Sequence, residues 1–174
     1  LAPPPSTATV KTVSTTSQGG VDRPIKAWYD SSQKTIFWWT DADSVFYSEN
    51  SSGMFLDINN NVNHMQLIDM SGVSAKYVRY PNYMFANNRK LVKHIVPGDF
   101  SVNNIESTAF MFYVKEAENP IEVDPLDLSN FDTSKVTAMT AMFEGSHYPS
   151  INLNSFNTSN TTTMLKMFKN AKKL

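Results

Sequence analysis

The sequence predicts an α/β fold of stacked repeats, with short parallel strands and short helices, preceded by a small β cap. The main observation is a phrase that occurs twice: "FDTSKVTAMTAMF" at 131–143 returns as "FNTSNTTTMLKMF" at 156–168. A second observation is that apolar residues alternate at the start of each repeat and then recur at helical spacing. Repetition of this kind is typical of a chain that needs a repeated shape rather than a single reactive site.

Residues 1–20 are rich in Pro, Ser, Thr and Gly, and their only large aliphatic side chains are Leu1, Val10 and Val13. A segment of this composition cannot bury enough apolar surface to offset the entropy lost on ordering it. We therefore predict a linker or stalk of extended chain at 1–20.

Residues 21–67 are predicted to form an N-terminal β-rich cap. The stretch "IKAWYDSSQKTIFWWT" holds two β-prone runs separated by the four residues "DSSQ", which is the pattern of a hairpin with a short loop. The run "SVFYS" at 44–48 supplies a candidate third strand.

Four repeats are predicted over 68–174, with starts at 68, 95, 126 and 151. The last two align without gaps as "LDLSNFDTSKVTAMTAMF" and "INLNSFNTSNTTTMLKMF". The first two fall into the same frame when the Met-Phe pair that closes each unit is matched. A further pair, Met54-Phe55, indicates an incomplete unit before the first strand, and the acidic insertion "VKEAENPIEVDP" is expected in a surface loop.

Each unit is predicted to be a short strand followed by a short helix. Leu126-Asp127-Leu128 alternates, which places both leucines on one face and Asp127 on the other. A helix is predicted from about Ser134, because capping residues are followed by an apolar stripe. The stripe consists of Val136, Met139, Met142 and Phe143. Stacking would bury these faces together, which gives a leucine-rich-repeat-like right-handed solenoid.

The unit "LDLSNFDTSKVTAMTAMF" closely resembles the repeats of BspA-like leucine-rich-repeat proteins, found in bacterial cell-surface proteins and mycoplasma lipoproteins. The resemblance extends over residues 38–174, although Thr108 replaces the first Met of its unit. It implies an exported, wall-attached or lipid-anchored protein, often described as an adhesin. It implies no catalytic residues, because the family has no agreed ones.

Composition argues against several classes of function. The formal net charge is -1 and no basic block occurs, so bulk attraction to nucleic acid or to an anionic membrane is not expected. Cysteine is absent, which excludes disulfides, thiolate nucleophiles and Cys-ligated metals and suits an exported bacterial protein. Neither a signal peptide nor an apolar run of about 18 residues occurs, so targeting and anchoring signals are expected outside this stretch.

A calcium site is considered and not predicted. The string "DINNN" at 57–61 copies the start of a calcium-binding loop. Val62 and Ile68 stand where that loop needs Gly and Glu, so a plain polar loop explains the string better.

No catalytic residues, metal site or cofactor are predicted, and we expect a protein that is not an enzyme. His64, His94 and His147 are far apart in the sequence, and none lies beside a nucleophile. Asp41 and Asp43 are better explained as turn formers than as a pair of glycosidase carboxylates.

The candidate binding face is the outward side of the predicted strands, together with exposed aromatic residues. Equivalent outward positions are occupied by Asp69, Asp127 and Asn152. Aromatic side chains that could stack on a sugar or anchor a protein partner are Tyr77, Tyr80, Tyr83 and Tyr148, with Trp38 and Trp39 in the cap. The alternative is that these rings fill the core or the cap.

The first functional hypothesis is a non-catalytic, extracellular module of a bacterial cell surface that binds a host protein, a glycan or a neighbouring cell. The second is a structural spacer that holds another domain away from the envelope. A third, a fragment of a carbohydrate-active enzyme, would need two facing carboxylates that the sequence does not indicate. Further repeats of the same chain, or a cap, are expected to cover an open strand edge after Leu174.

Overall fold

The structure is a computed structural model, which describes residues 3–18, 21–30, 32, 35–57, 67–88, 94–115 and 122–174. The chain divides into two compact units, Leu1–Val45 and Phe46–Leu174. Several sequence-based predictions lie outside the described residues: positions 58–61 of the calcium-like string, His64, and 116–121 of the acidic insertion.

The first unit contains a three-stranded antiparallel sheet in the order β1 (Lys11–Gln18), β2 (Val21–Asp30) and β3 (Thr35–Trp39). The predicted hairpin is confirmed, because β2 and β3 pair antiparallel. Trp28 lies opposite Phe37, and the two rings stack with their centroids 5.5 Å apart.

Strand β1 lies inside the segment 1–20 that was predicted as an extended linker or stalk. Its backbone is extended, and it pairs antiparallel with β2 from Lys11↔Ala27 to Gln18↔Val21. Several residues of "KTVSTTSQ" are β-branched and so favour extended chain, while the partner strand satisfies their backbone groups.

Six short strands follow. They are β4 (Val45–Phe46), β5 (Leu67–Asp69), β6 (Val73–Ser74), β7 (His94–Val96), β8 (Leu126–Asp127) and β9 (Ile151–Asn152). β5 pairs with β7 and β8 with β9, both in parallel, while β4 pairs with β6 and does not extend the hairpin. The registers Ile68↔Ile95 and Leu126↔Ile151 join residues at the repeat starts taken from the sequence.

The prediction of short helices is wrong, and so is the prediction of an α/β, leucine-rich-repeat-like right-handed solenoid. No residue in the described part of the chain is helical, and the strands there form separate small sheets rather than one closed or solenoid sheet. The stretch predicted as the helix of the third repeat, from Ser134 to Phe143, consists of turns and an isolated bridge at Ala138.

The physical reason is the direction of the backbone hydrogen bonds. In an α-helix each N–H bonds to the carbonyl four residues earlier. Here every second N–H donates instead to a carbonyl of the next repeat, at 2.8–2.9 Å. These donors are Met139, Ala141, Phe143 and Gly145. The N–H groups between them, such as that of Met142 to Met139 O, close tight turns within the repeat.

Left-handed residues keep these turns from becoming helical. Equivalent positions with positive φ are Gly53 (64°), Tyr83 (58°), Phe110 (58°), Ala141 (52°) and Lys166 (60°). A residue in this region cannot continue a right-handed helix, so each unit turns back after a few residues. The residues predicted as helix caps also form a turn, since the Ser134 N–H donates to Asp132 Oδ1 at 2.9 Å.

Two ladders of phenylalanine rings form the core of the second unit. The longer ladder has centroid spacings between 5.3 and 5.7 Å and contains Phe55, Phe85, Phe112, Phe143 and Phe168. In the other, Phe100 stacks on Phe131 at 4.2 Å and Phe131 on Phe156 at 6.3 Å. Because Phe55 begins the longer ladder, the incomplete unit predicted at Met54-Phe55 is confirmed. Each fully buried ring of this size contributes about 1.5–3 kcal/mol through removal from water.

Candidate functional site

The outward strand positions predicted to bind a partner do not form one continuous polar row. Asp69 pairs in register with Val96, which occupies the equivalent position of the next repeat. Asp127 lies beside Asn152, whose Nδ2 donates to Asp127 Oδ1 at 3.0 Å. The face therefore brings together two of the three predicted residues and separates Asp69 from them by an aliphatic side chain.

These three side chains also hold the backbone of their own repeats. Each accepts a hydrogen bond from the N–H two residues later: Ser71 for Asp69, Ser129 for Asp127 and Asn154 for Asn152, at 2.9, 2.9 and 3.2 Å. Bonds from the Ser129 N–H and hydroxyl, and from Asn152, hold the pKa of Asp127 below its ordinary value. The recurrence of Asp and Asn at this position is thus explained by turn formation.

The predicted tyrosines occupy four different environments. Tyr77 is 51% exposed and packs against Phe46, with the centroids 5.0 Å apart. Tyr80 is half-buried beneath the guanidinium of Arg79, which lies 5.3 Å from its ring centroid. Tyr83 is 39% exposed and belongs to an aromatic cluster on the surface.

Tyr148 is a correction to the predicted binding set, because it lies in the core. Only 8% of its surface is exposed, and its ring meets Phe112 edge-on at 6.5 Å. Burial raises the pKa of its hydroxyl well above the ordinary value. A side chain in this environment contributes packing energy and cannot contact a partner at the surface.

The most distinctive surface feature is a group of rings that we name the outer aromatic cluster, formed by Tyr83, Phe110 and Tyr113. The Tyr83 and Phe110 rings are parallel within 4°, with their centroids 4.7 Å apart. Tyr113 meets Phe110 edge-on at 5.7 Å. The stacking distance matches the spacing of neighbouring strands, because the two rings are carried by hydrogen-bonded backbones of consecutive repeats.

Two of these rings stand on left-handed residues, where a bulky side chain is unfavourable. Tyr83 and Phe110 both have φ of 58°, a conformation that costs about 1–2 kcal/mol for a residue with a Cβ. Stacking between the two rings returns about 0.5–1.5 kcal/mol for the pair. Glycine occupies the same position in the preceding unit as Gly53, so the turn itself does not require an aromatic residue.

Amide side chains with unused donors lie next to this cluster in the sequence. Asn82 Oδ1 accepts a hydrogen bond from Ser107 Oγ at 3.0 Å, and Asn87 Oδ1 accepts one from the Lys115 N–H at 2.8 Å. Within the described part of the chain, neither amide nitrogen has a hydrogen-bond acceptor. The neighbourhood therefore combines ring surface with free polar donors.

Tyr83 was predicted from the sequence, but Phe110 and Tyr113 were not. Phe110 directly precedes the Met111-Phe112 pair and was not singled out as a binding residue. The available signal was its alignment with Ala141 and Lys166, residues too different in polarity to share a core position. An aromatic side chain at a position that other repeats fill with Ala or Lys indicates a surface ring.

A charged contact ties three repeats together near Tyr80. Arg79 bonds to Glu106 on one side and lies 3.4 Å from Glu49 on the other, with all three side chains exposed. The hydrogen bond to Glu106, followed by its charge, raises the pKa of Arg79. The single positive charge is shared between two carboxylates, so the group retains a net negative charge, and as an exposed ion pair it contributes little to stability.

No arrangement in the described residues resembles a catalytic or metal centre. Groups of three or more His, Asp or Glu side chains able to hold a metal ion are absent from that part of the chain. His94 lies 3.4 Å from Asp124 at the surface, and Asp41 accepts a hydrogen bond from Arg23 at 2.9 Å. Burial, and then the charges of Lys172 and Lys173, lower the pKa of His147.

Residues 82–174, more than half of the chain, match the family described as "Mycoplasma protein of unknown function, DUF285". The chain belongs to the DUF285 family. No curated protein and no solved structure matches the chain. The finer resemblance, to BspA-like leucine-rich-repeat proteins, is not confirmed.

Membership of the DUF285 family covers the turn-rich repeats, including the outer aromatic cluster from Tyr83 onward. Because the family is described as having unknown function, it assigns no role to any residue of this chain. Across the described residues, no helix has the length and hydropathy needed to cross a bilayer.

Proposed function

We propose that this DUF285 chain is a non-catalytic module of a bacterial cell surface that binds a host protein, a glycan or a neighbouring cell. The observation that carries the proposal is the outer aromatic cluster, which places two stacked rings and a third edge-on ring together at the surface. Tyrosine and other aromatic side chains are the residues that most often anchor binding, because they combine a large apolar area with few rotatable bonds.

The energetics of the cluster support a role beyond stability. The two left-handed aromatic residues cost about 2–4 kcal/mol together, whereas their stacking returns about 0.5–1.5 kcal/mol. Gly53 shows that the same turn forms without a side chain. Ala141 and Lys166 adopt the same conformation at the equivalent positions, so the turn does not require an aromatic residue, and a binding role would account for the two rings.

Placement on a bacterial cell surface is supported by two separate considerations. The chain belongs to a family described from Mycoplasma, and its repeat "LDLSNFDTSKVTAMTAMF" resembles units of bacterial surface proteins. The absence of cysteine is compatible with an exported protein. Labelling of intact cells of the producing bacterium with a membrane-impermeant amine reagent tests this placement, since several lysines, including Lys166, Lys169 and Lys173, are exposed.

The binding proposal is tested with an array of host matrix proteins, mucins and glycans. The purified chain is compared with Tyr83→Asn and with a triple variant of the strand face, Asp69→Lys, Asp127→Lys and Asn152→Lys. We expect saturable binding that is lost in the Tyr83 variant and kept in the strand-face variant. If only the strand-face variant loses binding, the binding site lies on the strand face and not at the outer aromatic cluster.

A second candidate function is a structural spacer, and the strand face favours it. Asp69, Asp127 and Asn152 are all used as acceptors for their own turns, so the recurring polar residues serve the shape of the repeat. A spacer predicts that a well-folded chain binds nothing on the array. It also predicts that Tyr83→Asn raises the free energy of unfolding, because the left-handed cost is removed.

A further inference from the structure

Among the described residues, no ring stacks on the side of Tyr83 that faces the preceding repeat. The rings of Tyr83 and Phe110 are parallel, so one face of Tyr83 covers Phe110 and the other is directed toward the preceding unit. The equivalent residue of that unit is Gly53, whose N–H donates to Asn82 O at 2.9 Å. The ladder of surface rings therefore stops at a position that carries no side chain.

The missing side chain of Gly53 leaves a space at this position. A Cβ added to Gly53 would meet only Leu56 among the described residues, at 3.7 Å. Leu56 itself is 41% exposed and supplies an apolar rim. We name this space the Gly53 niche; its floor is Gly53, its wall is the free face of Tyr83 and its rim is Leu56.

The chemistry of the niche matches one class of ligand. A hexopyranose ring in its chair form has a face of axial C–H bonds and an edge of hydroxyl groups, so the face stacks on an aromatic ring while the edge forms hydrogen bonds. The amide nitrogens of Asn82 and Asn87 and the hydroxyl of Tyr83 have no partner in the described part of the chain. Asn82 and Asn87 lie in the same turn segment as Tyr83, with their amide oxygens bonded to the following repeat, and the Tyr83 hydroxyl suits a sugar hydroxyl group.

The charges nearby argue for a neutral ligand. Arg79 is held between Glu49 and Glu106, and Glu144, in the unit beyond Phe110, pairs with Lys169 at 3.4 Å. The three residues that form the niche carry no charge, so it has little electrostatic preference for a sulfated or sialylated sugar.

We propose that the Gly53 niche binds a neutral hexopyranose unit of a glycan, stacked on Tyr83 as the next member of the ring ladder. This inference rests on the proposed binding function and adds to it the class of ligand and the place where the ligand sits. The sugar stacks on one face of the Tyr83 ring, just as Phe110 stacks on the other face.

Three variants of the whole chain test the proposal. Tyr83→Asn removes the wall while keeping a residue type that tolerates positive φ, as Asn87 and Asn170 do in this chain. Gly53→Asn places a side chain inside the niche without losing the turn. Tyr77→Asn is the matched control, because it removes a tyrosine that is 51% exposed but lies outside the niche.

The probes are a glycan array with neutral, sialylated and sulfated members and a parallel array of host matrix proteins. Thermal melts first establish that all variants are folded. We expect neutral glycans to bind and both niche variants to lose affinity by about tenfold or more, while Tyr77→Asn binds like the natural chain.

The possible outcomes separate this inference from the proposed function. Binding restricted to charged glycans, or neutral-glycan binding that survives both niche variants, overturns the niche. Protein binding without any glycan binding overturns the niche and leaves the proposed function standing. If the folded chain binds nothing on either array, both the niche and the proposed function fail.

Discussion

Asp132 illustrates how one residue controls a turn through its charge. Its carboxylate accepts hydrogen bonds from the hydroxyl and the N–H of Ser134, and these bonds lower its pKa below the ordinary value. Asp99 has the same relation to Ser101, and its pKa is lowered in the same way. At the equivalent position of the next repeat, Asn157 accepts from the Ser159 N–H at 3.0 Å without a charge.

The first prediction concerns acid stability. Because the pKa of Asp132 is lower in the folded chain than in the unfolded one, its contribution is complete above pH of about 4 and is lost as the pH falls through the folded pKa. Asp132→Asn keeps the acceptor, so its free energy of unfolding should fall less between about pH 5 and about pH 2.5. Asp132→Ala should lose about 0.5–1.5 kcal/mol already at neutral pH.

Urea denaturation of the three proteins at both pH values measures these differences. Asn157 shows that the uncharged acceptor fits the turn, so the Asn variant should be close to the natural chain at neutral pH. Equal acid sensitivity of the natural chain and Asp132→Asn would show that the carboxylate of Asp132 contributes nothing to acid stability.

Thr108 supplies a second prediction at the residue scale. Its hydroxyl is fully buried and has no partner in the described structure, and it replaces the methionine found as Met139 in the next repeat. An unsatisfied buried hydroxyl costs about 1–3 kcal/mol, so Thr108→Val should raise the free energy of unfolding by about 1–2 kcal/mol.

Thr133 provides the matched control for that measurement. It is equally buried, but its hydroxyl donates to Asn157 O at 3.0 Å and accepts from the Asn157 N–H at 2.8 Å. Thr133→Val should therefore lower the free energy of unfolding by about 1–2 kcal/mol in the same urea titration. A loss of similar size in both variants would contradict the assignment of Thr108 as unpaired.

At the scale of the element, the longer phenylalanine ladder should show stability costs that depend on position. Phe112 is 1% exposed and lies between Phe85 and Phe143, at 5.4 and 5.7 Å. Phe112→Ala should cost about 3–5 kcal/mol, because it removes a fully enclosed ring. Phe168 is 44% exposed and stacks on one ring, so Phe168→Ala should cost about 1 kcal/mol.

Thermal or urea unfolding of both variants tests the ladder. The two substitutions remove the same number of atoms, so any difference between them reports enclosure rather than side-chain size. Equal losses would mean that the rings contribute separately and do not form a packed ladder.

The strand starts of the repeats were predicted from the sequence, whereas the phenylalanine ladders were not, and the prediction of helices is wrong for the described residues. Period-two residues such as Leu126 and Leu128 predict a strand start correctly, since alternation has one structural meaning. The spacing of Met139, Met142 and Phe143 has two meanings, because a series of tight turns can point the same residues inward. The two structures differ in whether alternate N–H groups find acceptors in the next repeat. The sequence of one repeat does not show this, because the acceptors belong to the neighbouring repeat.

The candidate site was predictable to a similar extent. Tyr83 was selected from the sequence as an exposed aromatic residue, and it is exposed. Phe110 and Tyr113 were not selected, because their partnership depends on left-handed turns that the helical interpretation excluded. Tyr148 was selected and is buried, since the sequence around it does not distinguish a surface ring from one that meets Phe112 edge-on.

For the whole molecule, the two units offer separate optical signals. All three tryptophans, Trp28, Trp38 and Trp39, lie in the first unit, whereas six of the seven tyrosines lie in the second. None of the first-unit residues whose burial is described is fully buried, whereas the second unit contains the phenylalanine ladders. The first unit should therefore be the less stable of the two.

We expect tryptophan fluorescence to change at a lower urea concentration than the near-ultraviolet circular dichroism of the tyrosines. The reason is that burial of apolar surface provides most of the free energy of folding, and the first unit buries less of it. Tyr29, the tyrosine of the first unit, makes a minor contribution to the second signal. Superimposable transitions would show that the two units unfold together as one cooperative body.

The hydrogen bonds that run from each turn segment to the next repeat also have a mechanical meaning. A pull on the two ends of the second unit is transmitted across the contacts between repeats one after another, and the weakest contact opens first. A detached repeat of 25 residues lengthens the chain by about 80–90 Å at full extension. The second unit thus yields in steps under tension, which limits the force that reaches whatever is attached at either end.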